Sequence, residues 1–252
     1  MKKYSILTIL IFVALVFTGC KKYLDVNKNE NDPTEVPLST LLPAAQVSLA
    51  NSLAMGYGFS NILAVYTHQM TTRESPDQYG ILPSEFYLNQ GWAEIYENAL
   101  ADLDVIISQG SEDAARSDIY VGMAKILKAY AFSQLVDIFG DVPFSDFNKF
   151  PEGVRTPKFD GSSDIYPTLL TMLDEGIASL NGTENATSPT SDDLIYKGDK
   201  TKWIKAANTI KLKLYTQMRK VKDVQSEVQA LLGTPANLIN MTSESFYFLM
   251  DH

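Results

Sequence analysis

The single cysteine of the chain, Cys20, stands where a covalent modification is expected. It follows a basic start at residues 2–3 and an apolar run over residues 6–17, with Gly19 directly before it. This order is typical of a bacterial signal peptide that ends in a lipobox, where the cysteine thiol receives a diacylglycerol before cleavage. We therefore expect residues 1–19 to be removed and Cys20 to carry a lipid. An ordinary signal peptide followed by a free thiol is the alternative.

Residues 20–38 are polar and rich in Asn, Asp and Pro, which predicts a lipidated tether ahead of the folded part. The two acyl chains of a diacylglycerol hold a protein stably at a membrane surface. No second apolar run approaches the ~20 residues that a membrane helix needs. The sequence thus predicts a domain over residues 39–252 that is tethered to a membrane and does not span it.

The segment 71–90 has the residue types of a ligand site. It interrupts the surrounding helical pattern and places aromatic rings beside polar side chains. Sugars offer apolar C–H faces that stack on such rings, while polar neighbours bind the hydroxyl groups. The candidate ligand-binding residues are Arg73, Asp77, Tyr79, Phe86 and Asn89. The alternative is that these rings fill a gap between helices.

Other aromatic residues fall on apolar helical stripes and are therefore expected in the core. These residues are Trp92, Tyr96, Tyr130 and Trp203.

The remaining inventory does not favour catalysis. The histidines are His68 and His252, and a zinc site needs His or Cys in clusters of defined spacing. The carboxylate pairs Asp102/Asp104 and Asp192/Asp193 are too close in sequence to face each other across a glycosidase cleft. We predict no catalytic residue, no metal and no cofactor, and we do not expect an enzyme.

The composition restricts the partners and the source of stability. The formal net charge is −9 over 252 residues, so general attraction to a nucleic-acid backbone is not expected. Hydrophobic residues make up 45% of the chain, which is enough for a sizeable core. One cysteine cannot form a disulfide within the chain, and the fold must be held by packing.

From residue 41 onward, apolar residues recur at intervals of three and four, which predicts amphipathic helices. The stripes cover residues 41–53, 59–70, 92–106, 119–138, 166–180, 203–221 and 224–232. Gly140 is expected to end the longest helix with a positive φ, and Pro143 prevents the helix from resuming. The pattern predicts an all-α fold of stacked helix hairpins, in the manner of a degenerate tetratricopeptide repeat.

Three stretches carry a family resemblance. They are residues 129–144 (AYAFSQLVDIFGDVPF), residues 164–180 (with DIY at its start and LDEGIASL at its end) and residues 198–212 (GDKTKWIKAANTIKL). In this order they resemble the SusD/RagB family of outer-membrane lipoproteins. Residues 20–33, CKKYLDVNKNENDP, are similar to the opening that follows the lipobox in that family.

The resemblance implies a helical, tetratricopeptide-like protein on the cell surface of a Bacteroidetes-type bacterium. Such proteins cover a TonB-dependent (SusC-like) outer-membrane transporter, capture an oligo- or polysaccharide or another nutrient, and are not enzymes. Family members are usually much longer, so this chain is expected to correspond to their N-terminal half. A second interpretation is a helical-repeat scaffold for protein–protein interactions that binds no small molecule.

Overall fold

The computed structural model describes residues 36–55, 58–71 and 86–246. The predicted lipidation site, Cys20, lies outside the described residues. So do three of the five candidate ligand residues, Arg73, Asp77 and Tyr79. The other two candidates, Phe86 and Asn89, lie within them.

The described part of the chain is helical, as the apolar stripes predict. Its helices are α1 (Leu38–Leu53), α2 (Phe59–Tyr66), α3 (Phe86–Ala93), a π-helix (Glu94–Ala99), α4 (Leu100–Gly110), α5 (Asp118–Phe139), α6 (Ser162–Leu180), α7 (Lys200–Met218) and α8 (Gln225–Leu232). Short 3₁₀ turns cover Pro235–Asn237 and Thr242–Glu244. Among the described residues the one sheet consists of β1 (Val142–Pro143) and β2 (Phe159–Asp160), which pair antiparallel. The predicted all-α class is confirmed.

Successive long helices pack antiparallel, which gives the predicted stacked hairpins. Lys128 of α5 forms an ion pair with Asp104 of α4. Lys211 of α7 lies 2.5 Å from Asp174 of α6. No helix of the described part is long and apolar enough to cross a membrane.

Two glycines set the closest approach of two helices, α5 and α6. A Cβ on Gly122 would lie 2.8 Å from the carbonyl oxygen of Gly176. A Cβ on Gly176 would lie 2.9 Å from Cγ1 of Ile126. Larger residues would push the helices apart. The apolar face of α5 is therefore buried along most of its length, from Tyr120 to Val136.

Gly140 ends α5 as predicted. Its φ is +78°, and its N–H bonds to the carbonyl oxygen of Val136 at 2.9 Å. A glycine adopts this conformation without the steric strain of a Cβ. The chain then turns into β1, and Asp160 of β2 fixes the turn by accepting a hydrogen bond from the N–H of Ser145 at 2.6 Å.

A buried carboxylate fastens the polar segment 181–199 to the helices. Asp193 is fully buried and accepts hydrogen bonds from Gln46 Nε2 and Trp203 Nε1, each at 2.8 Å. The N–H groups of Gly198 and Ile195 also bond to it, at 2.9 and 3.1 Å. Four donors satisfy this charge within the protein. Asp193 thus ties α1 and α7 to the segment between them.

Three local expectations differ from the structure. The helix that carries Trp92 begins at Phe86, so Phe86 and Asn89 lie on α3 and not in an irregular segment. Val221, expected on the last buried stripe of α7, lies beyond the helix end and is 86% exposed. The stripe over residues 59–70 predicts a helix at His68, but His68 follows the end of α2 with a φ of +58° and is exposed.

Candidate functional site

The two described candidates lie on one face of α3 together with a tryptophan. Phe86, Asn89 and Trp92 follow one another at intervals of three, and residues three apart on a helix are neighbours on its surface. Phe86 is 61% exposed, and Asn89 is exposed as well. The ring of Tyr87 packs edge-on against Phe86, with ring centres 5.5 Å apart. The helix therefore presents a ring, an amide and a second ring in sequence.

Trp92 extends this surface towards α5. Its ring lies 4.6 Å from Tyr96 and packs edge-on against Phe139 at 5.0 Å. Trp92 is partly exposed, and its indole N–H makes no hydrogen bond within the part of the chain that the structure describes. Phe139 is 37% exposed. We call the surface formed by Phe86, Asn89, Trp92 and Phe139 the aromatic row.

Buried contacts hold the aromatic row in place. Gly91 faces the core, and a Cβ there would lie 2.7 Å from a ring carbon of Phe59. Phe59 is fully buried and packs edge-on against Phe139 at 5.5 Å. On the next turn, the Tyr96 hydroxyl donates to the carbonyl oxygen of Pro143 at 2.8 Å. The rings are thus supported from beneath by α2 and from the side by the turn after α5.

The π-helix follows the aromatic row directly. Its wider turn changes which residues face the core. Such turns are rare in proteins overall, and those that occur are often found at functional sites. Glu94 in its first turn is 7% exposed, and its carboxylate accepts hydrogen bonds from Asn98 at 3.1 Å and Gln90 at 3.4 Å. The Glu94 carboxylate is therefore buried beneath the π-helix with its hydrogen bonds made. Among the described residues no buried side-chain nitrogen or oxygen atom lacks a hydrogen bond.

The aromatic row has the chemistry of a sugar-binding surface. Its rings offer apolar faces for stacking on C–H groups. The Asn89 amide both donates and accepts, and the Trp92 indole donates, which suits hydroxyl and acetamido groups. The row itself contains no charged side chain, so it favours a neutral ligand.

The core prediction for the four stripe aromatics holds unevenly. Trp203 is fully buried, with its N–H bonded to Asp193. Tyr130 and Tyr96 are partly buried, and burial raises the pKa of both hydroxyls. Trp92 is partly exposed and belongs to the aromatic row instead of the core. The sequence analysis did not predict a role for Phe139. The one indication in the sequence is its position, since it is an apolar residue that lies just off the α5 stripe and directly before Gly140.

Three of the four carboxylates considered for catalysis, Asp104, Asp192 and Asp193, have structural partners. Asp104 is paired with Lys128 and accepts from Asn148 at 3.2 Å. Asp192 accepts from the Tyr120 hydroxyl at 2.6 Å, and Asp193 is buried among its four donors. Burial raises the pKa of Asp102 on α4. Among the described residues no group of His, Cys, Asp and Glu is arranged to hold a metal ion.

These features define a helical-repeat protein with a surface suited to a neutral, ring-stacking ligand. A model of the SusD-like family, described as starch-binding and associating with the outer membrane, matches residues 30–251. The chain belongs to this family. No curated protein matches the chain.

Solved structures show the same fold. A SusD/RagB family protein from Bacteroides thetaiotaomicron is 25% identical, with a TM-score of 0.72, over 83% of this chain and 44% of that one. A chitin-binding protein is 26% identical, with a TM-score of 0.66, over 82% of this chain and 45% of that one. A chitin-binding SusD homologue from Flavobacterium johnsoniae shares the fold, with 20% identity and a TM-score of 0.64. The match covers 83% of this chain and 45% of that one. The chain spans less than half the length of these structures.

Proposed function

We propose that this chain is a cell-surface lipoprotein that binds an oligo- or polysaccharide and delivers it to a TonB-dependent, SusC-like transporter in the outer membrane. The observation that carries the proposal is the aromatic row, where partly exposed rings flank the Asn89 amide on one helix face. The family description, starch-binding and associating with the outer membrane, supports the same ligand class and location. The similarity to a chitin-binding protein supports it further.

The proposed binding mode is stacking on a shallow surface. Such a surface buries little of a flexible sugar and must order it, so binding is modest for a short oligosaccharide. Arg73, Asp77 and Tyr79 lie 7 to 13 residues before the start of α3 in the chain, and we include them in the proposed site. They would add polar contacts and a further ring to the aromatic row.

Retention on insoluble polysaccharide tests the proposal. The chain is passed over starch and over chitin, as wild type and as the variant Phe86→Ala/Trp92→Ala. The matched control is Phe159→Ala, which removes a ring of 65% exposure on β2. We expect the wild type and the control to be retained on at least one polysaccharide, and the double variant to elute early with an unchanged circular dichroism spectrum.

Two results contradict this proposal. Equal retention of a folded double variant would remove the aromatic row from the site. A wild-type chain that neither starch nor chitin retains, but that copurifies with the transporter, would favour the scaffold interpretation instead.

The proposed anchor has its own test. Because the diacylglycerol would be attached through the Cys20 thiol, Cys20→Ala should move the protein from the membrane fraction to the soluble fraction. Cys20→Ser, which also lacks the thiol, should behave in the same way. Wild-type levels of either variant in the membrane fraction would rule out lipid anchorage at this residue.

A further inference from the structure

A surface groove lies beside the turn that ends α5. A groove of about 560 Å³ opens between the end of α5, the start of α6 and the end of α7. Its polar lining includes Ser163, Tyr166, Gln217 and Lys222, and its apolar lining includes Val136 and Met218. We call it the α5–α7 groove. Its volume falls in the range of about 300–1,000 Å³ that is usual for small-ligand sites.

The polar wall of this groove is held rigidly by one carboxylate. Asp137 accepts hydrogen bonds from Gln217 Nε2 at 2.8 Å and from Lys213 Nζ at 2.9 Å. The Tyr166 hydroxyl also donates to it. Burial and this hydrogen bond raise the pKa of Tyr166. Tyr166 of α6 and Gln217 of α7 are thus both hydrogen-bonded to Asp137 within the protein.

The charges around the groove favour a neutral ligand. The Asp137 carboxylate is compensated by Lys213. Asp141 accepts the N–H of Ser162 at 2.8 Å, so the first turn of α6 already has an anionic partner. Asp164 adds a further negative charge in that turn. Among the residues that line the groove, Lys222 has the one charged side chain, and these acids lie near it. An anionic ligand therefore gains little net attraction, whereas hydroxyl groups find donors and acceptors.

The groove and the aromatic row meet at consecutive residues. Phe139 belongs to the row and Gly140 lines the groove, and a Cβ on Gly140 would meet nothing within 4 Å. Gly140 therefore presents no side chain between Phe139 and the groove. The two surfaces are adjacent in the chain at this turn.

We infer that the α5–α7 groove is a second saccharide subsite, which takes neutral sugar units of the same glycan chain that stacks on the aromatic row. This inference rests on the proposed function. The ligand must then be longer than the aromatic row alone requires, because one glycan chain must cross the Phe139–Gly140 turn to occupy both surfaces. The second N–H of Gln217 Nε2, beside the one bonded to Asp137, and the Lys222 ammonium supply the donors, and Val136 and Met218 supply the apolar floor.

The test is the dependence of affinity on oligosaccharide length. The full chain is titrated with the disaccharide and the hexasaccharide of both the chitin and the starch series, by isothermal calorimetry. The groove variants are Gln217→Leu and Lys222→Ala, combined in one protein. Lys220→Ala is the matched control, since it removes the same charge two residues away, from an exposed side chain that does not line the groove.

We expect the groove variant to bind the hexasaccharide about tenfold more weakly, because it lacks two donors to the sugar hydroxyl groups. Its affinity for the disaccharide should not change, and Lys220→Ala should match the wild type with both ligands.

Unchanged hexasaccharide affinity in the groove variant overturns the inference and leaves the proposed function intact. An equal loss for both lengths overturns it too, because the groove would then not be a separate subsite. If the wild type binds no oligosaccharide of either series, the proposed function falls as well.

Discussion

The chain has two tryptophans, and both lie on apolar stripes of long helical segments. Trp203 is fully buried, packs edge-on against Tyr196 at 5.4 Å and donates its N–H to Asp193. Trp92 is partly exposed, and its N–H has no partner within the described residues. Beneath Trp203 lies a satisfied charge, whereas Trp92 is surrounded by other rings that reach the surface.

The difference shows what an apolar stripe can and cannot predict. A stripe predicts a helix and the burial of one face. Trp203 meets both predictions, and Trp92 meets the second only in part. The hydrogen-bond partner of the indole N–H separates the two cases, because a buried donor must be bonded and an exposed one is available to a ligand. On this basis Trp203 contributes to stability, and the proposed role of Trp92 is in binding.

The largest expected effect is on stability at Trp203. Trp203→Ala removes a fully buried ring and leaves Asp193 without one of its donors, so we expect a loss of about 3–5 kcal/mol in the free energy of unfolding. Trp92→Ala is the matched comparison and should lose much less. Urea unfolding followed by circular dichroism measures both. Equal losses for the two variants would break the distinction between the two indoles.

The next effect concerns the charge beneath Trp203. Asp193→Ala leaves four donors without their acceptor, and we expect a loss of about 3 kcal/mol, since each buried unsatisfied group costs about 1–3 kcal/mol and water recovers part of it. Asp193→Asn keeps one acceptor oxygen and should lose less. Asp174→Ala, at an exposed carboxylate of α6, is the control. A stable Asp193→Ala protein would show that segment 181–199 is held by other contacts.

A smaller effect is expected at the turn that positions Phe139 beside Trp92. Gly140→Val places a β-branched residue at a φ of +78°, which should destabilise the fold by about 1 kcal/mol. Gly140→Asn should lose about as much, because asparagine tolerates the left-handed region at a ψ of about +47°, whereas Gly140 has a ψ of −113°. The melting temperature measures both changes. An unchanged melting curve for Gly140→Val would rule out the role of Gly140 in ending α5.

Much of the fold follows from the sequence because it rests on local patterns. The stripes over residues 119–138 and 166–180 correspond closely to α5 and α6, and Gly140 ends α5 as its backbone freedom requires. The start of α3 was placed too late because residues 86–91 contain no clear apolar repeat. Gly91 packs against Phe59 of α2, and this tertiary contact has no signal in the local sequence pattern.

The candidate site was less accessible from the sequence. The residue types predict Phe86 and Asn89 as candidates, but they do not predict that Trp92 and Phe139 lie beside them. Trp92 lies on a stripe that also carries the buried Ile95, and periodicity does not show how far burial extends along a face. The α5–α7 groove depends on Asp137, Tyr166 and Gln217, which come from three helices. No spacing within one segment indicates that they meet.

The central claim is that a glycan stacks on Trp92, and fluorescence tests it most directly. The wild type and Trp92→Phe are titrated with soluble chito- and malto-oligosaccharides while tryptophan emission is recorded. Trp203 is buried in both proteins and should not respond. We predict a saturable change in emission for the wild type with at least one series, and no change for Trp92→Phe. The same saturable change in Trp92→Phe, or glycan binding by calorimetry without any change in wild-type emission, would contradict the account.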